Sequence, residues 1–267
     1  MRSLRSLSRP TIAAAPEMQR HHPPLPLSSK KIPPRERLIF PLDVDTREQV
    51  NQLVRQLGDA VWFYKLGLQL FMSGNYWDLV AQLVDAGKKV FVDLKFFDVP
   101  ETVASAVRRM KDCGAELATI HGNDAMLAAA CAVPRERLKL LAVTVLTSFD
   151  AGDLRDLGVP PAVSVEELVL SRARRALALG CDGVISSGLE ARALRNELGE
   201  QLLIVSPGIR PFENQRVRDD QKRIVTPEEA FRSGADYIVV GRPIRSAVDP
   251  RAAAMAIQAT IAEVFGS

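Results

Sequence analysis

From Arg37 onward, short apolar runs alternate with amphipathic stretches. The runs are Leu38–Val44, Val61–Leu66, Lys89–Leu94, Glu116–His121, Lys139–Leu146, Gly183–Ser186, Leu202–Val205 and Tyr237–Val240. They are mostly Val, Ile, Leu and Phe with little polar alternation, as expected of parallel strands covered on both faces. The stretches between them read as helices. Thr46 is an N-cap signal for a helix over Arg47–Leu57. Asp45 beside it is also a candidate cap. Ser164 with Glu167 forms a capping box for a helix running to Leu179, and Gly180 supplies its C-cap. Thr226-Pro227-Glu228-Glu229 places a cap, a first-turn proline and two acids at another helix start. A last helix spans about Pro250 to Phe265.

Eight strands alternating with helices predict a closed (β/α)8 barrel forming a single domain from Arg35 to Ser267. An open doubly wound sheet is the rival architecture. It is disfavoured because no G-x-G-x-x-G follows the first strand, and polar residues follow many strands instead of one switch point. A chain of 267 residues, 47% hydrophobic and 25% charged, is ordinary for such a globular domain.

Charge changes the picture only at the N-terminus. Residues 1–34 carry +5 of the overall +3, which leaves −2 for the remainder. The basic character belongs to this Arg-, Ser- and Pro-rich segment, so it does not argue for a nucleic-acid surface on the domain. The segment resembles a transit peptide in being acid-poor. Pro10, Pro16, Pro23, Pro24, Pro26, Pro33 and Pro34 break any long amphipathic helix, so a disordered tail, or a start codon placed too early, is the expectation. No apolar run approaches the roughly 20 residues that span a bilayer. Cys113, Cys131 and Cys181 are far apart with no C-x-x-C, so neither a disulfide framework nor a zinc site is expected, and a reducing compartment fits. His21 and His22 read as solvated tail residues.

Candidate chemistry lies at the strand ends, where barrels place their catalytic groups. Asp43 follows the first strand and Lys65 the second. Asp93 and Lys95 end the third, with Asp98 just beyond. His121, Thr147-Ser148, Pro207-Gly208-Ile209-Arg210 and Gly241-Arg242 follow at the fourth, fifth, seventh and eighth. One such residue alone is a cap or a solvated side chain; so many at one rim point to a site, with a structural ion-pair network as the alternative. Strand alternation puts Asp93 and Lys95 on one face, toward the barrel mouth. Asp98, on the loop before Pro100, either bends back to the site or reaches a neighbouring subunit. A lysine between carboxylates keeps its proton and suits proton donation more than Schiff-base chemistry. Gly241, Arg242 and Arg210 read as a phosphate grip, with the long Pro207–Ile224 loop as a lid.

Asp93-Leu-Lys-Phe-Phe-Asp98-Val-Pro-Glu-Thr102 resembles the D-x-K-x-x-D-I-P-x-T signature of the orotidine 5′-monophosphate decarboxylase family. Leu42-Asp43, Lys65-Leu-Gly67, Ala142-Val-Thr-Val-Leu-Thr-Ser148, Ser206-Pro-Gly-Ile-Arg210 and Val240-Gly-Arg-Pro243 extend the resemblance, in order, from Arg37 to the C-terminus. Phe97 and Glu101 depart from the His and Asn common in bacterial members. The resemblance implies a cofactor-free, metal-free, cytoplasmic homodimer that decarboxylates orotidine 5′-monophosphate to uridine 5′-monophosphate, with neither nucleic acid nor membrane as partner. Lys95 would protonate the pyrimidine carbon that loses CO2. Asp93 would face the departing carboxylate, and Asp98 would complete the charge array across the dimer interface. Lys65 and Asp43 would hold ribose hydroxyls, Thr102 the ribose of the partner's site, and Thr147 the pyrimidine. Arg210, Gln221, Gly241 and Arg242 would hold the phosphate, with His121 either behind the site or a satisfied core histidine. Two rivals differ in chemistry. A sugar-phosphate enzyme of the same suprafamily would need a divalent metal, and a non-catalytic phosphate-ligand binder would have no use for two carboxylates.

Overall fold

The computed structural model describes residues 27–211 and 224–266. Eight parallel strands close into a barrel in sequence order: β1 (Leu38–Pro41), β2 (Phe63–Gly67), β3 (Lys89–Phe96), β4 (Leu117–Ile120), β5 (Lys139–Val143), β6 (Gly183–Ile185), β7 (Leu203–Ser206) and β8 (Tyr237–Val239). The helices among the described residues are α1 (Arg47–Leu57), α2 (Leu68–Phe71), α3 (Tyr76–Asp85), α4 (Pro100–Met110), α5 (Asp124–Cys131), α6 (Ala151–Asp156), α7 (Val165–Ala178), α8 (Ala191–Leu198), α9 (Pro227–Arg232), α10 (Arg242–Arg245) and α11 (Pro250–Phe265). All eight expected strands are present, and the (β/α)8 single-domain reading holds. Most of the strands are shorter than the apolar runs that announced them, because those runs continue into the βα loops.

The local signals act as read. Thr46, Ser164 and Thr226 each form a reciprocal capping box with Gln49, Glu167 and Glu229. Gly180, at φ +91°, takes the left-handed position after α7. Asp45 is a correction: it does not cap α1 but accepts a 2.6 Å hydrogen bond from Gln69. Thr46, one residue later, already caps the helix by accepting from the Gln49 N–H of the first turn.

Strand alternation divides the core in two. Ile39, Phe63, Phe91, Leu117, Leu141, Leu203, Val205, Tyr237 and Val239 fill the barrel. A larger set, including Leu38, Phe40, Tyr64, Val90, Val92 and Leu94, packs between sheet and helices. The interior is tight enough that a Cβ at Gly183 would stand 2.4 Å from the Leu203 carbonyl oxygen and 2.9 Å from Leu141 Cδ2, so only glycine fits there. On β2, β3 and β4 the next inward positions toward the C-terminal mouth are Lys65, Asp93 and Thr119 instead of more apolar residues.

Residues just before Arg35 contact the barrel. Ile32 packs against the interior cluster at the barrel's N-terminal end. Ser28 and Lys30 hydrogen-bond the fully buried Asp236 at 2.5 and 3.1 Å. A buried carboxylate needs donors, and this short segment supplies two of them. No helix among the described residues is long and apolar enough to cross a membrane.

Candidate active site

Eight of the residues assigned a catalytic or binding role line one cavity of about 440 Å³ at the C-terminal mouth: Asp43, Lys65, Asp93, Lys95, Thr147, Arg210, Gly241 and Arg242. That volume is in the range of small-molecule sites.

Asp93 is the centre of the charge array. Its Oδ1 lies 2.9 Å from Lys95 Nζ, and its Oδ2 lies 3.1 Å from Lys65 Nζ. Lys65 Nζ continues to Asp43 Oδ1 at 3.4 Å. Carboxylates and ammoniums therefore alternate from Asp43 through Lys65 and Asp93 to Lys95. Burial works against the charge on Asp93. The Lys65 and Lys95 charges, with hydrogen bonds from Lys95 and Thr119, outweigh it and hold the carboxyl down at about 2. Burial also opposes the charge on Lys65, but Asp93 and Asp43 hold its pKa above the ordinary lysine value. Both groups are ionised at neutral pH.

The backbone explains how Lys95 reaches this position. Between Val92 and Phe96, β3 takes four steps while β4 takes two, from Ala118 to Ile120. Lys95 sits in this bulge at φ +48°, and it is the one non-glycine residue with positive φ among the described residues. Such a conformation costs roughly 1–3 kcal/mol and persists only where its surroundings enforce it. Thr119 enforces it here. Its Oγ1 accepts from the Lys95 backbone N–H at 2.9 Å and donates to Asp93 Oδ1 at 2.9 Å. One buried hydroxyl thus fixes both the bulge and the carboxylate. Simple alternation placed Asp93 and Lys95 on one face correctly, but it did not foresee the bulge.

Across the ring from β3 lies β7, and the loops after β7 and β8 bring the arginines. Arg210 is 6% exposed, and its backbone N–H donates to Val225 at 2.9 Å. Gly241 passes so close to β1 that a Cβ there would meet Pro41 Cγ at 2.9 Å. Arg242 follows at the start of α10 and lines the cavity.

Asp98 and Thr102, assigned to a neighbouring subunit's site, and His121, assigned behind the site, do not line this cavity. Asp98 and Thr102 are exposed and absent from its lining. Asp98 does not bend back to the site: it accepts from the neighbouring Val99 N–H at 2.6 Å, and α4 starts two residues on. His121 also stays outside, stacked edge-on against Phe97 at 5.3 Å. Burial, then the Arg172 and Lys95 charges, lower its pKa. Gln221 and most of the expected lid lie outside the described residues.

Thr119 and Arg245 were missed from sequence. Thr119 had a readable signal, since it is a polar residue two positions after inward Leu117. Arg245 lines the cavity and donates to the Asp43 carbonyl oxygen, which ties the β8 loop to the β1 loop. No sequence pattern pairs residues this far apart. No group of three or more metal-ligating side chains occurs among the described residues.

The model of the orotidine 5′-phosphate decarboxylase / HUMPS family matches residues 36–257. An orotidine 5′-phosphate decarboxylase of Methylococcus capsulatus is 61% identical over 241 residues, covering 90% of this chain and 98% of that protein. The enzyme of the same name from Stenotrophomonas maltophilia is 48% identical over 245 residues, covering 91% and 98%. Among solved structures, orotidine 5′-phosphate decarboxylase from Lactobacillus acidophilus superposes with a TM-score of 0.72 at 36% identity, covering 85% of this chain and 99% of that one. With the barrel, the charge array and these relatives in agreement, the chain belongs to the orotidine 5′-phosphate decarboxylase / HUMPS family.

Proposed function

We propose that this protein decarboxylates orotidine 5′-monophosphate to uridine 5′-monophosphate, the last step of de novo UMP synthesis, in the cytoplasm. One observation carries the reading. The cavity lining holds five cations (Lys65, Lys95, Arg210, Arg242 and Arg245) against two carboxylates, Asp43 and Asp93. The surplus of three positive charges matches a ligand bearing a phosphate dianion and a ring carboxylate. Those two groups are at opposite ends of the substrate, as Arg210 after β7 and the Asp93–Lys95 pair on β3 lie across the ring from each other.

Each residue then has a chemical task. Arg210, Arg242 and the close backbone at Gly241 grip the phosphate, with Gln221 assigned to the same end. Binding energy from this remote group holds the ring against the array. Thr147 contacts the pyrimidine, and Asp43 and Lys65 hold the ribose hydroxyls. Asp93 faces the substrate carboxylate, so their repulsion is relieved as CO2 leaves. The electron pair left on the ring carbon develops beside the Lys95 ammonium, which stabilises it and then supplies the proton. These are fixed charges of the chain, so the reaction needs no cofactor.

Asp98 and Thr102 serve the neighbouring subunit in this reading. Both are exposed, and the side chains flanking Asp98 are apolar and open, with Phe97 65% and Val99 62% exposed. A second copy of the chain would cover them and receive the Asp98 carboxylate and Thr102 hydroxyl. The deciding experiment follows the absorbance of orotidine 5′-monophosphate with and without chelator. Turnover at equal rates in both is expected. Loss of activity in chelator would favour a metal-dependent sugar-phosphate enzyme, and tight nucleotide binding without turnover would favour a binding protein.

A further inference from the structure

Two cysteines far apart in sequence meet at the foot of the barrel. Cys131 ends α5, and Cys181 lies two residues before β6. Their sulfur atoms are 3.4 Å apart. A disulfide needs ~2.05 Å, so about 1.4 Å of approach closes the bond. The backbones are already drawn together. A Cβ built on Gly180 would stand 3.6 Å from Cys131 Cβ. One guanidinium clamps both segments: Arg135 donates to the Cys131 carbonyl at 2.9 Å, the Gly180 carbonyl at 3.0 Å and Asp182 Oδ2 at 2.9 Å. Asp182 in turn accepts from the Leu140 N–H at 2.9 Å, which anchors the clamp to β5.

The two thiols are unequal in the way oxidation chemistry needs. Cys131 is partly exposed, whereas Cys181 is 2% exposed. The hydrogen bond from Cys181 and the Arg135 charge lower the Cys131 pKa, although burial opposes them. The same contact and burial keep Cys181 protonated. Cys113 stands apart as an internal control.

We propose that Cys131 and Cys181 form a reversible dithiol–disulfide site that reacts with peroxide-class two-electron oxidants. The Cys131 thiolate attacks one peroxide oxygen, giving a sulfenic acid and, after protonation of the leaving oxygen, water. The Cys181 sulfur then attacks the sulfenic sulfur. The S–S bond forms, the S–O bond breaks, and the thiol proton leaves with the hydroxide as a second water. A dithiol reductant reverses the net change. The bond would join α5 to the foot of β6, at the end of the barrel opposite the cavity, so turnover should not depend on it.

The test exposes the folded, full-length protein to hydrogen peroxide, followed by thiol counting and non-reducing peptide mapping. The expected result is a fall from three thiols to one, a Cys131–Cys181 linked peptide, and a melting temperature raised by roughly 5 °C, all reversed by dithiothreitol. Cys113→Ser should behave like the parent, and Cys131→Ser should lose both the link and the shift. The wild-type peptide map decides the matter even if a variant folds poorly. Three thiols remaining, Cys131 carried to sulfinic acid without a link, or a link through Cys113 would each overturn the proposal.

Discussion

The two ends of the barrel each bury a carboxylate among cations, and at the mouth that array borders a cavity. At the mouth, Asp93 is 8% exposed and contacts Lys65, Lys95 and Thr119. At the foot, Asp236 is fully buried and contacts Ser28, Lys30, Arg195 and the Ile204 N–H. The cations at the foot also serve backbone carbonyls. Lys30 donates to Leu202, and Arg195 donates to Gly199, Leu202 and Gly234. Their hydrogen-bonding capacity stitches β7, β8 and the preceding loops together. At the mouth, the Lys95 ammonium bonds Asp93 and borders open space, with its side chain 34% exposed. A buried ion pair by itself therefore does not mark a site. Access, strain at Lys95 and donors left facing a cavity do.

This contrast can be broken most sharply at Lys95. Lys95→Ala should lower kcat by roughly 1,000-fold or more, since both electrostatic stabilisation and proton donation are lost. Nucleotide binding should stay measurable by calorimetry, and near-normal turnover would remove Lys95 from the mechanism. Asp236→Ala should do the reverse. It leaves Arg195 and Lys30 without their buried partner, so stability should fall by roughly 3 kcal/mol in denaturant titrations. The kcat of the folded fraction should hold within about twofold; a large drop there would mean that the foot also takes part in catalysis.

Asp93 supplies a pH test of the same distinction. Its folded pKa of about 2 lies below the roughly 3.9 of an unfolded aspartate. Its stabilising contribution is therefore complete above about pH 4 and is lost as pH falls toward 2. Unfolding free energies of wild type should drop by about 2 kcal/mol more than those of Asp93→Asn over that window. Equal slopes would show that the array does not hold the carboxylate ionised. The smallest effect is expected at the phosphate end. Arg242→Ala should reduce kcat/KM roughly tenfold, mainly through KM, because Arg210 and the Gly241 backbone remain. An unchanged kcat/KM would place the phosphate elsewhere.

Much of this was legible along the chain because it depends on local order. Strand positions follow from apolar runs, caps from a side chain and a backbone group three residues apart, and the charged rim from polar residues at strand ends. Asp98 and His121 show where that reasoning stops. Both follow strands as the cavity residues do, yet the Asp98 carboxylate accepts from the Val99 N–H and the His121 ring packs against Phe97, outside the cavity lining. A position in sequence says which end of a barrel a residue occupies, not whether its side chain turns inward.

The sequence by itself determined the eightfold alternation, the face shared by Asp93 and Lys95, and the arginines after the seventh and eighth strands. Tertiary structure alone decided the bulge at Lys95, Thr119 beneath it, Arg245 on Asp43, the strap from Ser28 to Asp236, and the meeting of Cys131 with Cys181. The physical reason is one of range. Periodicity and capping are interactions between near neighbours and are written in spacing. The others bring together groups distant in sequence that only tertiary packing sets within hydrogen-bonding or contact distance.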